Sequence, residues 1–270
     1  MKKYLTKLLI VFVMLTVLCG CQKNEVEQDN KEVEENNETS EKVLQLGDAV
    51  DDYFVVYVDP GHGFDDPGCS SDLMKGTEAK NTLAISKILK EKLEKAGAVV
   101  YLTHDGVSYP SADKVRAMAK KYDLTYDEKY INDNNIYSAS ERALYMTALC
   151  NEEDIDFFIS LHVNSVEGYP KRSRYELYYC DTNPAAEELG NMCQSFGGKL
   201  DNTTFAMAMP FNDAYVVVKY APIPSILVEM GYCTNEKDAK KLNSESWRDS
   251  FTDILAEEIM LWKDEAEILK

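Results

Sequence analysis

Phe54-Val55-Val56-Tyr57-Val58-Asp59-Pro60-Gly61-His62-Gly63 passes from an apolar, β-branched run straight into a loop built on proline and glycine. A run stopped so abruptly predicts a buried strand whose C-terminal end opens into a tight turn. From Glu78 to Lys95 apolar residues recur at helical spacing (Leu83, Ile85, Ile88, Leu89, Leu93), and Gly97 closes the pattern. Ala98 to Thr103 predicts a second strand, residues 139 to 150 a second helix, and Asp156 to Leu161 a third strand. Strand alternating with helix is the order of an α/β domain, with a mostly parallel twisted sheet flanked by helices. Further along, Tyr175–Cys180, Tyr215–Tyr220 and Ser225–Met230 predict strands. Pro184–Leu200 predicts a helix, and one or two more run to the C-terminus. Residues 104 to 138 are polar and tyrosine-rich, and read as a long insertion with one helical piece at Val115 to Lys121.

The chain has 3 histidines, and two of them sit in the same kind of place. His62 follows the first strand, and His162 ends the third, in Ile159-Ser160-Leu161-His162-Val163-Asn164-Ser165. The carboxyl ends of parallel strands form the ligand crevice of an open α/β sheet, so distant residues there converge. Glu78 opens the first long helix. Two neutral imidazoles and one carboxylate make a three-ligand site for one zinc ion, with the fourth position open. Glu229 lies in Ile226-Leu227-Val228-Glu229-Met230-Gly231, where a charge is expensive without a partner or a purpose. Burial also raises a carboxyl pKa toward the range useful to a general base. Taken singly, His62 reads as an ordinary loop residue, Glu78 as an acid favoured by the helix dipole, and Glu229 as an edge-strand charge or a salt-bridge partner. Only the four together point to a metal hydrolase.

The N-terminus carries Lys2, Lys3 and Lys7 before an apolar run from Leu8 to Cys19. That run is short of the ~20 residues a membrane span needs, so it reads as an export signal, with an uncleaved signal anchor as the rival. Leu18-Cys19-Gly20-Cys21 resembles the lipobox of bacterial lipoproteins. The resemblance implies lipidation of Cys21 and a place on the extracytoplasmic face of the cell membrane. Residues 21 to 52 are rich in glutamate and poor in apolar groups, and are expected to form a disordered tether. The expected organisation is thus a signal peptide at 1–20, a tether at 21–52 and a catalytic domain at 53–270. A net charge of −18 makes nucleic acid a poor partner. Beyond the lipobox, 5 of the 7 cysteines remain; a Cys180–Cys193 disulfide and buried free thiols both fit. A monomer is expected.

Several stretches together resemble the zinc-dependent N-acetylmuramoyl-L-alanine amidase family of the type-3 amidase fold. They are Val58-Asp59-Pro60-Gly61-His62-Gly63 continuing to Asp66-Pro67-Gly68, Glu78-Ala79-Lys80-Asn81, Val99 to Thr103, Glu141-Arg142-Ala143, Ile159 to Ser165, and Pro224 to Tyr232 with Thr234-Asn235. The resemblance covers nearly all of residues 54 to 268. It implies His62, Glu78 and His162 as zinc ligands and Glu229 as the catalytic base. The implied reaction cleaves the amide between the lactyl group of N-acetylmuramic acid and L-alanine in peptidoglycan. Asn164 and Arg142 are candidates for substrate contact or for support of the ligands. The chain departs from the family pattern at Phe64, where glycine is common, and at His104, where arginine is common. His104 reads as a solvent-exposed loop histidine, with a substrate or supporting role as the alternative. Cys69 reads as small packing rather than a fourth ligand. Two rivals stand beside the amidase reading: a related zinc peptidase or amidase of another substrate, and a non-catalytic wall-binding lipoprotein.

Overall fold

The computed structural model describes residues 53–64, 66–106, 111–121, 123, 145, 155–200, 205–210, 216–219 and 221–268. The expected signal peptide, the expected tether with Cys21, Arg142 and all but Tyr145 of the expected 139–150 helix lie outside these residues.

Six strands form one sheet: β1 (Val55–Pro60), β2 (Val99–Leu102), β3 (Phe157–Asn164), β4 (Arg174–Tyr179), β5 (Phe205–Pro210) and β6 (Ser225–Tyr232). Their order is β2-β1-β3-β6-β4-β5. The first four run parallel; β4 joins β6 antiparallel, and β5 follows β4 in parallel. The expected α/β class and mostly parallel sheet are therefore what the fold shows. The helices are α1 (Glu78–Lys95), α2 (Ala112–Lys121), α3 (Ala186–Lys199), the short α4 (Val216–Lys219), α5 (Glu236–Leu242) and α6 (Glu245–Ile268). α2 is the helical piece expected within the insertion.

One expectation fails. Tyr215–Tyr220 does not supply a strand: Val216–Lys219 is the helical turn α4, and the edge strand is Phe205–Pro210. Three consecutive valines carry a β preference, but that preference spans only about 1 kcal/mol and depends on the partner a segment meets. Here the available edge of β4 is taken by Phe205–Pro210, in register from Arg174↔Phe205 to Tyr179↔Pro210.

Successive strand residues alternate between the faces of the sheet. Val56, Val58, Ile159, Leu161, Ile226, Val228, Met230 and Leu177 share one face and join one apolar core with α1, α3 and α6. Leu89, Leu93, Phe196, Leu255 and Ile259 from those helices are fully or almost fully buried in it. The other face carries Asp59, Ser160, His162, Glu229 and Glu176, which are neighbours by register. The core side thus holds the sheet together and leaves the polar face to the site.

α1 is anchored at both ends. Its C-terminus closes with a Schellman motif: Gly97 N–H donates to Glu94 and Ala98 N–H to Leu93, with Gly97 at φ 98°. At its N-terminus Glu78 N–H donates to Cys69 O at 2.8 Å and Ala79 N–H to Pro67 O at 3.1 Å. The loop after β1 therefore fixes where Glu78 begins.

Candidate metal centre

His62, Glu78 and His162 meet, each offering a ligand atom within 4.8 Å of the others. β1 brings in His62, α1 brings in Glu78 and β3 brings in His162. Glu78 Oε1 lies 3.2 Å from His62 Nε2 and 3.1 Å from His162 Nδ1. The two rings stand edge to face with centroids 5.0 Å apart.

Each group is aimed by its neighbours. Asp66 Oδ2 lies 2.8 Å from His62 Nδ1, so Nε2 is the nitrogen that faces Glu78. Both oxygens of Glu78 accept backbone hydrogen bonds at 2.8 Å, Oε1 from Val163 N–H and Oε2 from Cys69 N–H. Burial alone would raise the Glu78 pKa, but the hydrogen bonds and charges of His162 and His62 outweigh it and hold the group well below the usual carboxylate range. Burial would lower the His62 pKa; contact with Glu78 and Asp66 raises it instead.

The backbone here tolerates little change. A Cβ on Gly61 would sit 2.5 Å from Leu161 O and 2.6 Å from the His162 ring. One on Gly68, already at φ 63°, would meet Glu78 Oε2 at 2.6 Å. His62 itself has φ 62° and Phe64 φ 59°, a left-handed conformation rare for such side chains. Gly61 N–H on Leu161 O and the paired Gly63–Asp66 backbone bonds hold the loop in that shape and place the ring.

Glu229 stands beside His162 in register across β3 and β6, and beside Glu176 across β6 and β4. It is buried, and its Oε2 has no hydrogen-bond partner among the described residues. Desolvation, then the charges of Glu78 and Glu176, push its pKa well above the ordinary carboxylate value. The donor set fits a divalent cation: two imidazole nitrogens and a carboxylate converge, one imidazole is backed by a carboxylate, and cationic charge there would relieve two crowded acids.

A family model described as N-acetylmuramoyl-L-alanine amidase matches residues 56–260. The chain belongs to the N-acetylmuramoyl-L-alanine amidase family. Among its relatives is protein YqiI of Bacillus subtilis, 26% identical over 212 residues, covering 78% of this chain and 85% of that protein. A probable N-acetylmuramoyl-L-alanine amidase, AmiB of Haemophilus influenzae, is 26% identical over 213 residues; the match covers 72% of this chain but only 48% of AmiB. An N-acetylmuramoyl-L-alanine amidase from Clostridium difficile 630 shares the fold with a TM-score of 0.61 at 19% identity, covering 79% of this chain and 98% of that one.

Both departures from the amidase family pattern fall at one spot. His104 is not solvent-exposed; it is 6% exposed. Its Nε2 lies 2.8 Å from Pro60 O, and its ring packs on Phe64 with centroids 5.1 Å apart. The ring fills the space beneath Gly63, where an added Cβ would meet it at 2.9 Å. His104 therefore braces the His62 loop from below. Turned inward, its Nε2 meets the carbonyl of Pro60, a main-chain acceptor that burial would otherwise leave in need of a donor.

Asn164 donates from Nδ2 to Glu176 Oε2 at 2.9 Å, so it is tied to the acid next to Glu229. Cys180 and Cys193 are free thiols, as are Cys69 and Cys233. Sequence reasoning missed Asp66 as the partner of His62, although the motif containing it was visible. It also missed Glu176, which the signal that exposed Glu229 could have found: an acid inside an apolar strand, Tyr175-Glu176-Leu177. Asp59 was missed as well; it accepts from Thr103 Oγ1 and Ser160 Oγ, both at 2.6 Å, and ties the tips of β1, β2 and β3 together.

Proposed function

We propose that this chain is a zinc-dependent hydrolase of peptidoglycan that cleaves the amide between N-acetylmuramic acid and L-alanine, anchored at the outer face of the cell membrane through lipidated Cys21. The observation that carries the catalytic reading is the meeting of His62, Glu78 and His162 on one point, with buried Glu229, whose Oε2 has no hydrogen-bond partner among the described residues, next to His162 in the sheet. Zinc held by those three residues would supply Lewis acidity toward the amide carbonyl and toward a water molecule. His62 is kept in one tautomer by Asp66, and Glu78 is kept in place by two backbone N–H groups. Glu229 is the base: its raised proton affinity lets it take a proton from water and return it to the departing L-alanine nitrogen. The carbonyl oxygen gains charge as water attacks, and zinc held by His62, Glu78 and His162 would supply positive charge to stabilise it.

The membrane anchor rests on the Lys-rich start, the short apolar run and the Leu18-Cys19-Gly20-Cys21 ending. Metabolic labelling with a radioactive fatty acid tests it; Cys21→Ala is expected to lose the label. For the reaction, purified peptidoglycan incubated with the zinc-loaded chain should release new L-alanine amino termini without shortening the peptide. Shortened peptides in place of those termini would assign the same centre to a peptidase. His162→Ala should lose the metal on elemental analysis.

A further inference from the structure

Two cysteines far apart in sequence converge beside the centre, and the proposed reaction uses neither. Cys69 lies in the loop between β1 and α1, and Cys233 follows β6. Cys69 Sγ lies 3.2 Å from Val163 O and 3.7 Å from Asn164 O. Cys233 N–H donates to that same Asn164 carbonyl at 2.8 Å. Ser71 Oγ donates to Cys233 O at 2.5 Å, which fastens the Cys69 loop to the segment after β6 a second time. Both cysteines thus close on the one Asn164 carbonyl, Cys69 through its sulfur and Cys233 through its backbone N–H. Cys233 is fully buried, whereas Cys69 is partly open to solvent. Two cysteines brought to one carbonyl, one partly open and one buried, are placed for thiol–disulfide exchange.

We propose that Cys69 and Cys233 are a disulfide-forming pair, oxidised by exchange with an external disulfide such as oxidised glutathione or an exported thiol oxidoreductase. The Cys69 thiol, losing its proton, attacks one sulfur of the external disulfide and forms a mixed disulfide, releasing one reduced thiol. The Cys233 thiol, losing its proton, then attacks Cys69 Sγ and releases the second reduced thiol. Two protein thiols are oxidised and one external disulfide is reduced to two thiols, so electrons and protons balance. The new bond joins the loop whose Cys69 N–H holds Glu78 Oε2 to the residue just beyond the strand that carries Glu229. It closes a long loop and ties the two halves of the centre covalently. This inference depends on neither the substrate nor the membrane anchor.

The test is disulfide mapping on the zinc-loaded full chain after incubation with excess oxidised glutathione, with differential alkylation and mass spectrometry. The expected result is a Cys69–Cys233 linkage within one chain. With it should come a rise of roughly 5 °C or more in Tm, reversed by dithiothreitol. Cys233→Ser should abolish both, and Cys69→Ser, at the more open position, gives the same reading if the buried change impairs folding. Recovery of both thiols free under excess oxidant, a glutathione adduct on Cys69 that never resolves, or linkage of either thiol to another cysteine overturns the proposal. Because the readout is a covalent map and not hydrolysis, its failure leaves the amidase reading untouched, and the reverse also holds.

Discussion

Glu176 on β4 and Glu229 on β6 are the same residue type, on the same face, paired across one antiparallel register, and both are buried. Their surroundings are opposite. Glu176 accepts from Tyr232 Oη at 2.7 Å, Tyr178 Oη at 2.8 Å, Asn164 Nδ2 at 2.9 Å and from the Arg174 guanidinium. Arg172 adds a second guanidinium at 3.6 Å and lies over the Tyr232 ring. Burial alone would raise the Glu176 pKa, but these donors outweigh it and lower it. Glu229 has an oxygen with no partner among the described residues; burial, then the charges of Glu78 and Glu176, raise its pKa. Burial by itself sets neither outcome; the supply of donors does. The half of the sheet around β4 keeps an acid charged and immobile, while the centre of the sheet keeps one available for protons.

The sharpest way to break this comparison is Glu229→Gln. It should cut turnover by about 10²-fold or more while zinc stays bound, measured by hydrolysis rate and metal content together. Near-normal hydrolysis would remove Glu229 from the mechanism. Asp66→Asn comes next: it takes away the carboxylate behind His62 and should weaken zinc affinity by roughly 10- to 100-fold in a competition titration. Tyr232→Phe removes one donor from the charged Glu176 and should cost about 1.5–3 kcal/mol in denaturant unfolding. The smallest effect concerns pH. A folded-state pKa held below the unfolded value, about 4.3 for glutamate, contributes stability above that pH. That stability is lost as pH falls through the folded pKa. Glu176→Gln should therefore flatten the acid side of the stability profile. It should also move the acid limb of kcat/KM to lower pH, because one of the charges that raise the Glu229 pKa is gone. An unchanged acid limb would show that Glu176 does not act on Glu229.

Much of the fold was legible because its signals are local. Val55–Val58 and Ile226–Met230 are apolar runs cut off by glycine or proline, and α1 carries a clean helical period with a glycine stop. Phe205-Ala206-Met207-Ala208-Met209 gave no such signal, since alanine and methionine favour helices in isolation. Its strand state comes from the vacant edge of β4. The convergence of His62, Glu78 and His162 was legible from their places at element ends. The inward turn of His104 was not, because its partner is the distant carbonyl of Pro60, and nothing near residue 104 in the chain announces that.

The amino-acid order alone determined which elements alternate, which face of each is apolar, and which side chains stand at the mouth of the sheet. Those properties follow from residue type and period. Tertiary contact decided the rest: that donors lower the Glu176 pKa while burial and neighbouring charge raise that of Glu229, that His104 supports the His62 loop, and that Cys69 and Cys233 close on one carbonyl. Proton affinity and thiol pairing depend on which donors, charges and sulfurs lie within a few ångströms, and only the folded chain brings those groups from distant positions into contact.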